Sequence, residues 1–126
     1  MVLADTSVLV AAFTGTKTSA PAMRALVHRG ERLILCTLVL YEWLRGPRLP
    51  EELAIQEALF PAAVALPFGP EEARVAAALY DAVERPRRRE ADLAIAACAI
   101  VRGAELWTLN PSDFRDLPRL ELYVGS

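Results

Sequence analysis

The chain reads as a three-layer α/β fold, with a central, mainly parallel five-stranded sheet covered by helices on both faces. Three observations lead there. Short apolar runs at 2–4, 33–36, 63–66, 106–109 and 120–124 alternate with longer stretches of helical character. These runs are continuously apolar rather than alternating, which marks strands buried on both sides of a parallel sheet. With 126 residues, 54% of them hydrophobic and 24% charged, the chain suits one globular domain over 1–126 with a sizeable core.

Taken in order, the first strand ends at Asp5-Thr6-Ser7, where Thr6 or Ser7 is expected to cap a short apolar helix reaching Phe13. Thr14 to Thr18 break that helix. Ser19 is expected to cap the next one, with Pro21 in its first turn, where a missing N–H costs nothing, and Gly30 closing it. Leu33 to Cys36 form the second strand, and Thr37 is expected to cap a helix through Tyr41, Glu42 and Trp43 to Arg45, stopped by Gly46-Pro47. Pro50-Glu51-Glu52 opens a helix to about Leu59, and Ala63 to Leu66 are the expected third strand. Glu71 and Glu72 begin a helix in the sense that complements its dipole, and Pro86 ends it. Arg87, Arg88 and Arg89 connect it to a helix from Glu90 to Val101 whose surface is mostly small and apolar, as a central helix requires. Gly103 ends that helix, Leu106 to Leu109 form the fourth strand, 110–114 a turn, and Leu120 to Val124 the fifth.

Composition narrows the function. No apolar stretch reaches the ~18 uncharged residues a membrane span needs, and Asp5 interrupts any signal-like start, so a soluble, cytoplasmic protein is expected. Cys36 and Cys98 lie in apolar runs without metal-ligand spacing and read as buried thiols. His28 is the only histidine, which leaves zinc or Ser-His-Asp chemistry little to rest on; it reads as a surface residue near a helix end. A net charge of −2 is not the footprint of a broadly basic nucleic-acid binder. Gly15-Thr16-Lys17-Thr18 ends like a phosphate-binding loop but lacks the upstream glycine and does not directly follow a strand.

The informative residues are acidic. Asp5 ends the first strand, Glu42 interrupts an apolar helix, Asp92 stands in the first turn of the central helix, and Asp113 follows the fourth strand. Singly, each has an ordinary reading: Asp5 as a helix cap, Asp92 as a dipole partner, Asp113 as a turn residue. Glu42 is the exception, because a carboxylate among apolar neighbours needs a partner or a metal. In a parallel sheet all four fall near the edge formed by the strands' carboxyl ends, where ligands bind. Carboxylates gathered there repel one another unless a cation neutralises them. Hard oxygen donors suit Mg²⁺ or Mn²⁺, which activate water for phosphodiester hydrolysis.

Four blocks carry a resemblance: Asp5-Thr6-Ser7-Val8-Leu9, Tyr41-Glu42-Trp43-Leu44-Arg45-Gly46, Asp92-Leu93-Ala94-Ile95-Ala96-Ala97, and Thr108-Leu109-Asn110-Pro111-Ser112-Asp113-Phe114. In this order and spacing they resemble PIN-domain ribonucleases, most closely the VapC toxins of toxin–antitoxin pairs, over essentially the whole chain. The resemblance implies a PIN-like fold in which Asp5 and Asp92 are the main metal ligands. Glu42 would be a third ligand or would orient the metal-bound water. Asn110 stands where some members carry Asp, so the fourth acidic role passes to Asp113 or is weakened. Thr6 and Thr108 match small hydroxyl positions lining the site, with capping or a strand end as their alternative roles. The family's partners are RNA, a cognate antitoxin and a second copy of the toxin.

Two surface features accompany the acids. Arg85, Arg87, Arg88 and Arg89 form either a solvated connection or a contact to RNA phosphates, with Arg89 the nearest to Asp92. Tyr41, Trp43 and Leu44, in the segment 38–50, would serve an antitoxin groove or the core equally well. Rival enzyme classes fit less well. A haloacid-dehalogenase-type phosphatase wants a second Asp where Ser7 stands, and a response-regulator receiver domain wants paired N-terminal acids and a lysine. The remaining alternative is a catalytically silent PIN-like binding or scaffold module.

Overall fold

The computed structural model describes residues 1–124. Three parallel strands, β1 (Val2–Ala4), β2 (Leu33–Ile34) and β3 (Glu105–Trp107), lie in the order β2-β1-β3. β1 takes the centre because all three of its residues are apolar and small enough to be covered on both faces; none is exposed. Its register places Val2 against both Leu33 and Glu105, and Ala4 against Trp107.

The five-stranded expectation is corrected here to three strands with a single bridge beyond each edge, Cys36 to Leu66 and Leu106 to Leu122. On one side Ala62–Val64 wind into a 3₁₀ turn after Pro61, so the chain meets the edge only at Leu66. There the Leu66 N–H donates to the Leu35 carbonyl and the Thr37 N–H to the Leu66 carbonyl, both at 2.8 Å. On the other side Arg119 sits at φ +71°, and the chain pairs with Leu106 only through Glu121 and Tyr123. The apolar runs are present, but a turn consumes part of the first and precedes the second, so each pairs at one residue only.

Among the described residues six helices surround the sheet: α1 (Thr6–Phe13), α2 (Ala20–His28), α3 (Thr37–Arg45), α4 (Pro50–Leu59), α5 (Pro70–Ala82) and α6 (Glu90–Arg102). The starts of α2 and α3 differ from expectation, and at α1 the structure selects the helix-cap reading of Asp5 over Thr6 or Ser7. Asp5 itself is the N-cap of α1, its carboxylate accepting from the Thr6 N–H. Cys36, not Thr37, precedes α3, and Ser19 occupies the cap position of α2 without a side-chain bond. α6 is the central helix, with Leu93 and Ile95 to Ala99 buried, and it packs along α5. It stops at Gly103, whose φ of +64° is a left-handed conformation that costs glycine nothing.

The core decides between groove and core for the residues of α3. Trp43 is fully buried, with Phe13 edge-on at 5.7 Å, so it is a core residue; Tyr41 and Leu44 on the same helix are exposed. Cys36 and Cys98 are free, buried thiols. A hydrogen bond between them lowers the former's pKa and, with burial, raises the latter's. Among the described residues no helix is long and apolar enough to cross a membrane.

Candidate active site

The parallel register builds the first part of the site. Ala4 pairs with Trp107, so Asp5 and Thr108, the next residues on adjacent strands, emerge side by side at the carboxyl edge. The Asp5 N–H donates to the Trp107 carbonyl at 2.9 Å. Its carboxylate is nearly enclosed, and each oxygen has a partner: Oδ1 accepts from the Thr6 N–H at 2.7 Å, and Oδ2 from Thr108 Oγ1 at 2.7 Å and Ser7 Oγ at 3.0 Å. Thr108 in turn accepts from the Asn110 N–H, and Ser7 from the Leu109 N–H. One carboxylate thus caps α1 with one oxygen and joins the ends of β1 and β3 with the other.

Glu42 reaches the same edge from the middle of α3. Thr6 Oγ1 donates to Glu42 Oε1 at 2.6 Å, which supplies the partner that a carboxylate in an apolar helix needs. Arg45, one turn on, approaches Oε2 at 3.7 Å from an exposed position. Thr6 therefore orients Glu42, while the Asp5 side chain does the capping.

Asp92 stands half-buried in the first turn of α6. Burial, and after it the charges of Asp5, Asp113 and Glu42, push its pKa up to about 6, while Arg89 pulls it the other way. Four carboxylates from four separate segments share one electrostatic neighbourhood, and at Asp92 their charge adds to the larger effect of burial. Asp113, at the end of a 3₁₀ turn (Pro111–Asp113) after β3, is exposed, as is Asn110. Arg88, Arg89, Asp92, Ser112, Asp113 and Asp116 line an open concavity of about 330 Å³.

Arg89 is not a free cation. Its guanidinium forks onto Asp116 at 2.7 and 2.6 Å and donates a third bond to the Asp113 carbonyl at 2.8 Å. Sequence reading missed Asp116 and the part played by Ser7. The available signal for Asp116 was an acid three residues beyond Asp113, opposite an arginine run; for Ser7 it was a hydroxyl two residues after Asp5. Asp5, Glu42 and Asp92 are the hard-oxygen donors that could serve a divalent cation. Among the described residues, no three acidic, histidine or cysteine side chains stand close enough as they are to enclose an ion.

A parallel sheet carrying carboxylates at its strand ends defines a class, and sequence comparison gives that class its name. The PIN-domain model matches residues 2–120, and the chain belongs to the PIN-domain family. Among individual proteins it is similar to Ribonuclease VapC19 of Mycobacterium tuberculosis, 34% identical over 123 residues that cover 96% of this chain and 98% of that one. The fold matches VapBC2 from Rickettsia felis bound to a DNA fragment from its promoter, with TM-score 0.78, 22% identity and 98% of each chain covered. It also matches a toxin–antitoxin complex from Klebsiella pneumoniae, with TM-score 0.72, 23% identity and 95% of each chain covered.

Proposed function

We propose that the protein is a divalent-metal-dependent endoribonuclease, hydrolysing RNA phosphodiester bonds in the cytoplasm as the toxin of a toxin–antitoxin pair. The near full-length similarity to a ribonuclease supports the reaction class. The observation that carries the metal dependence is the Asp92 carboxylate, pushed up to about 6 by burial and three neighbouring acids. Burial is the largest cause of that shift; the like charge that Asp5, Asp113 and Glu42 add to it is the part a dication relieves. Asp5, Asp92 and Glu42 would hold Mg²⁺ or Mn²⁺, with Asp113 as the fourth acid. When bound, the ion would polarise a phosphoryl oxygen and supply an activated water.

The chain's own residues do the rest. Ser7, Thr108 and the Thr6 N–H hold Asp5 rigid, so its position is set before any ligand arrives. Thr6 orients Glu42 through a short hydrogen bond. Arg88 and Arg45, both exposed beside the acids, are the cations available to RNA phosphates; that neutralisation predicts affinity falling as salt rises. A cognate antitoxin is the proposed regulator, supported by the likeness to a toxin–antitoxin complex. The exposed Tyr41 and Leu44 on α3 support a homodimer or partner contact.

The test is cleavage of a mixed-sequence single-stranded RNA with Mg²⁺ or Mn²⁺. Asp5→Asn should abolish cleavage with an unchanged circular dichroism spectrum. A variant cutting at the wild-type rate would overturn the site.

A further inference from the structure

Arg89 and Asp116 are more than a surface ion pair. Arg89 is the last residue before α6, and its carbonyl accepts the Leu93 N–H at 2.8 Å, so its backbone is part of the helix start that carries Asp92. Its side chain points the other way, into the turn after β3. That turn is rooted in the core by Phe114 and Leu117, both buried, but its outer part, where Asp113 sits, is exposed. The Arg89 fork is the polar clamp on that outer part: two bonds to Asp116 and one to the Asp113 carbonyl. A bidentate guanidinium–carboxylate pair fixes direction as well as distance. A third bond to the backbone of residue 113 fixes where the Asp113 side chain begins.

We propose that Arg89 is a positioning residue that, through Asp116, holds the turn carrying Asp113 against the start of α6, so that Asp113 rather than Asn110 fills the fourth acidic position beside Asp92. The proposal rests on the nuclease reading of the site. It also removes Arg89 from the RNA contacts, because the guanidinium is committed to protein oxygens. The pair is partly solvent-exposed, with 18% and 54% of the two side chains accessible, so it adds little to global stability. Its effect is local geometry at the acids.

Arg89→Ala, Asp116→Ala and the double variant separate the roles. In the positioning role each single variant lowers kcat on single-stranded RNA by about tenfold or more, as loss of a supporting residue at a metal site does. KM changes little, and the double variant is no worse than either single one. Calorimetry with Mn²⁺ alone shows affinity weakened by a similar factor in each. Amide hydrogen exchange speeds up at Phe114 and Leu117 while the core of α6 keeps wild-type protection. An Asp116→Ala variant with wild-type kcat, or an Arg89→Ala variant altered only in KM, would overturn the proposal in favour of a phosphate contact. If the wild-type protein neither cuts RNA nor binds Mn²⁺, the nuclease reading fails instead. The clamp is then decided by exchange alone, with unchanged protection at Phe114 and Leu117 sinking it.

Discussion

Asp92 bears the electrostatic cost of the site, and that cost can be measured. In the metal-free fold its pKa is about 6 against an ordinary 3.8, so the native state keeps a proton that the unfolded chain releases first. Stability from this group is complete below about pH 4 and is lost as pH rises through about 6. That rise sets an upper bound of about 3 kcal/mol, which half-exposure reduces to roughly 1 kcal/mol. Asp92→Asn cannot ionise, so in the presence of a chelator it should be more stable than wild type by that amount at pH 7.5. The difference should vanish near pH 4, as read from urea midpoints; equal stability at both pH values would show that the acids do not interact. Thr108 makes a complementary case. Thr108→Val keeps the shape but removes the 2.7 Å donor to Asp5 Oδ2, and the loss of a hydrogen bond to a buried carboxylate costs about 2 kcal/mol. Cleavage should fall with it, and Thr108→Ser should restore both; a fully active Thr108→Val would mean the hydroxyl is only a strand-end residue.

At the scale of elements, α1 couples folding to chemistry, because its N-cap is also a proposed ligand. Asn caps as well as Asp does, whereas Ala does not, by about 1 kcal/mol. Asp5→Asn and Asp5→Ala should therefore be equally inactive, but the Ala variant should melt lower by that amount. Two variants of equal stability would show that the cap is worth nothing here. This double use explains what the sequence left open. Capping and ligation looked like alternatives for Asp5 because a one-dimensional pattern assigns a side chain one role, whereas its two oxygens here take two, capping α1 and tying β1 to β3. Elements whose signals are local were legible: Pro50 and Pro70 starting helices, Gly103 stopping one, the small apolar surface of α6. The third and fifth strands were overread because whether an apolar run pairs along its length depends on the turn before it. Pro61 and the left-handed Arg119 allow one bridge each. Glu42 was legible from its misfit among apolar neighbours. Asp116 was not, since an ion pair between two turns 27 residues apart leaves no periodic trace.

At the scale of the molecule, a chain of net charge −2 gathers four of its acids at one edge of a three-stranded sheet. The apolar core closes around Trp43, Phe13 and the buried face of α6; of the four acids only Asp5 also serves the fold, as the cap of α1 and the tie between β1 and β3. Burial and like charge at Asp92 disfavour its ionised form in the fold, and a dication that binds only the folded state would add stability by mass action. Mn²⁺ at a hundred times its dissociation constant should add about 2.7 kcal/mol, or a rise of roughly 10 °C in Tm for a domain of this size. Sodium chloride of matched ionic strength should not reproduce it, because screening supplies no ligand that binds the folded state alone. Asp92→Asn should lose most of the metal-induced rise while starting from the higher metal-free Tm at pH 7.5. That opposite movement distinguishes a ligand from a merely strained acid: a strained residue that binds nothing would raise the baseline and leave the Mn²⁺ shift intact. A wild-type Tm indifferent to Mn²⁺, measured by calorimetry at the same pH, would remove the metal from the mechanism altogether.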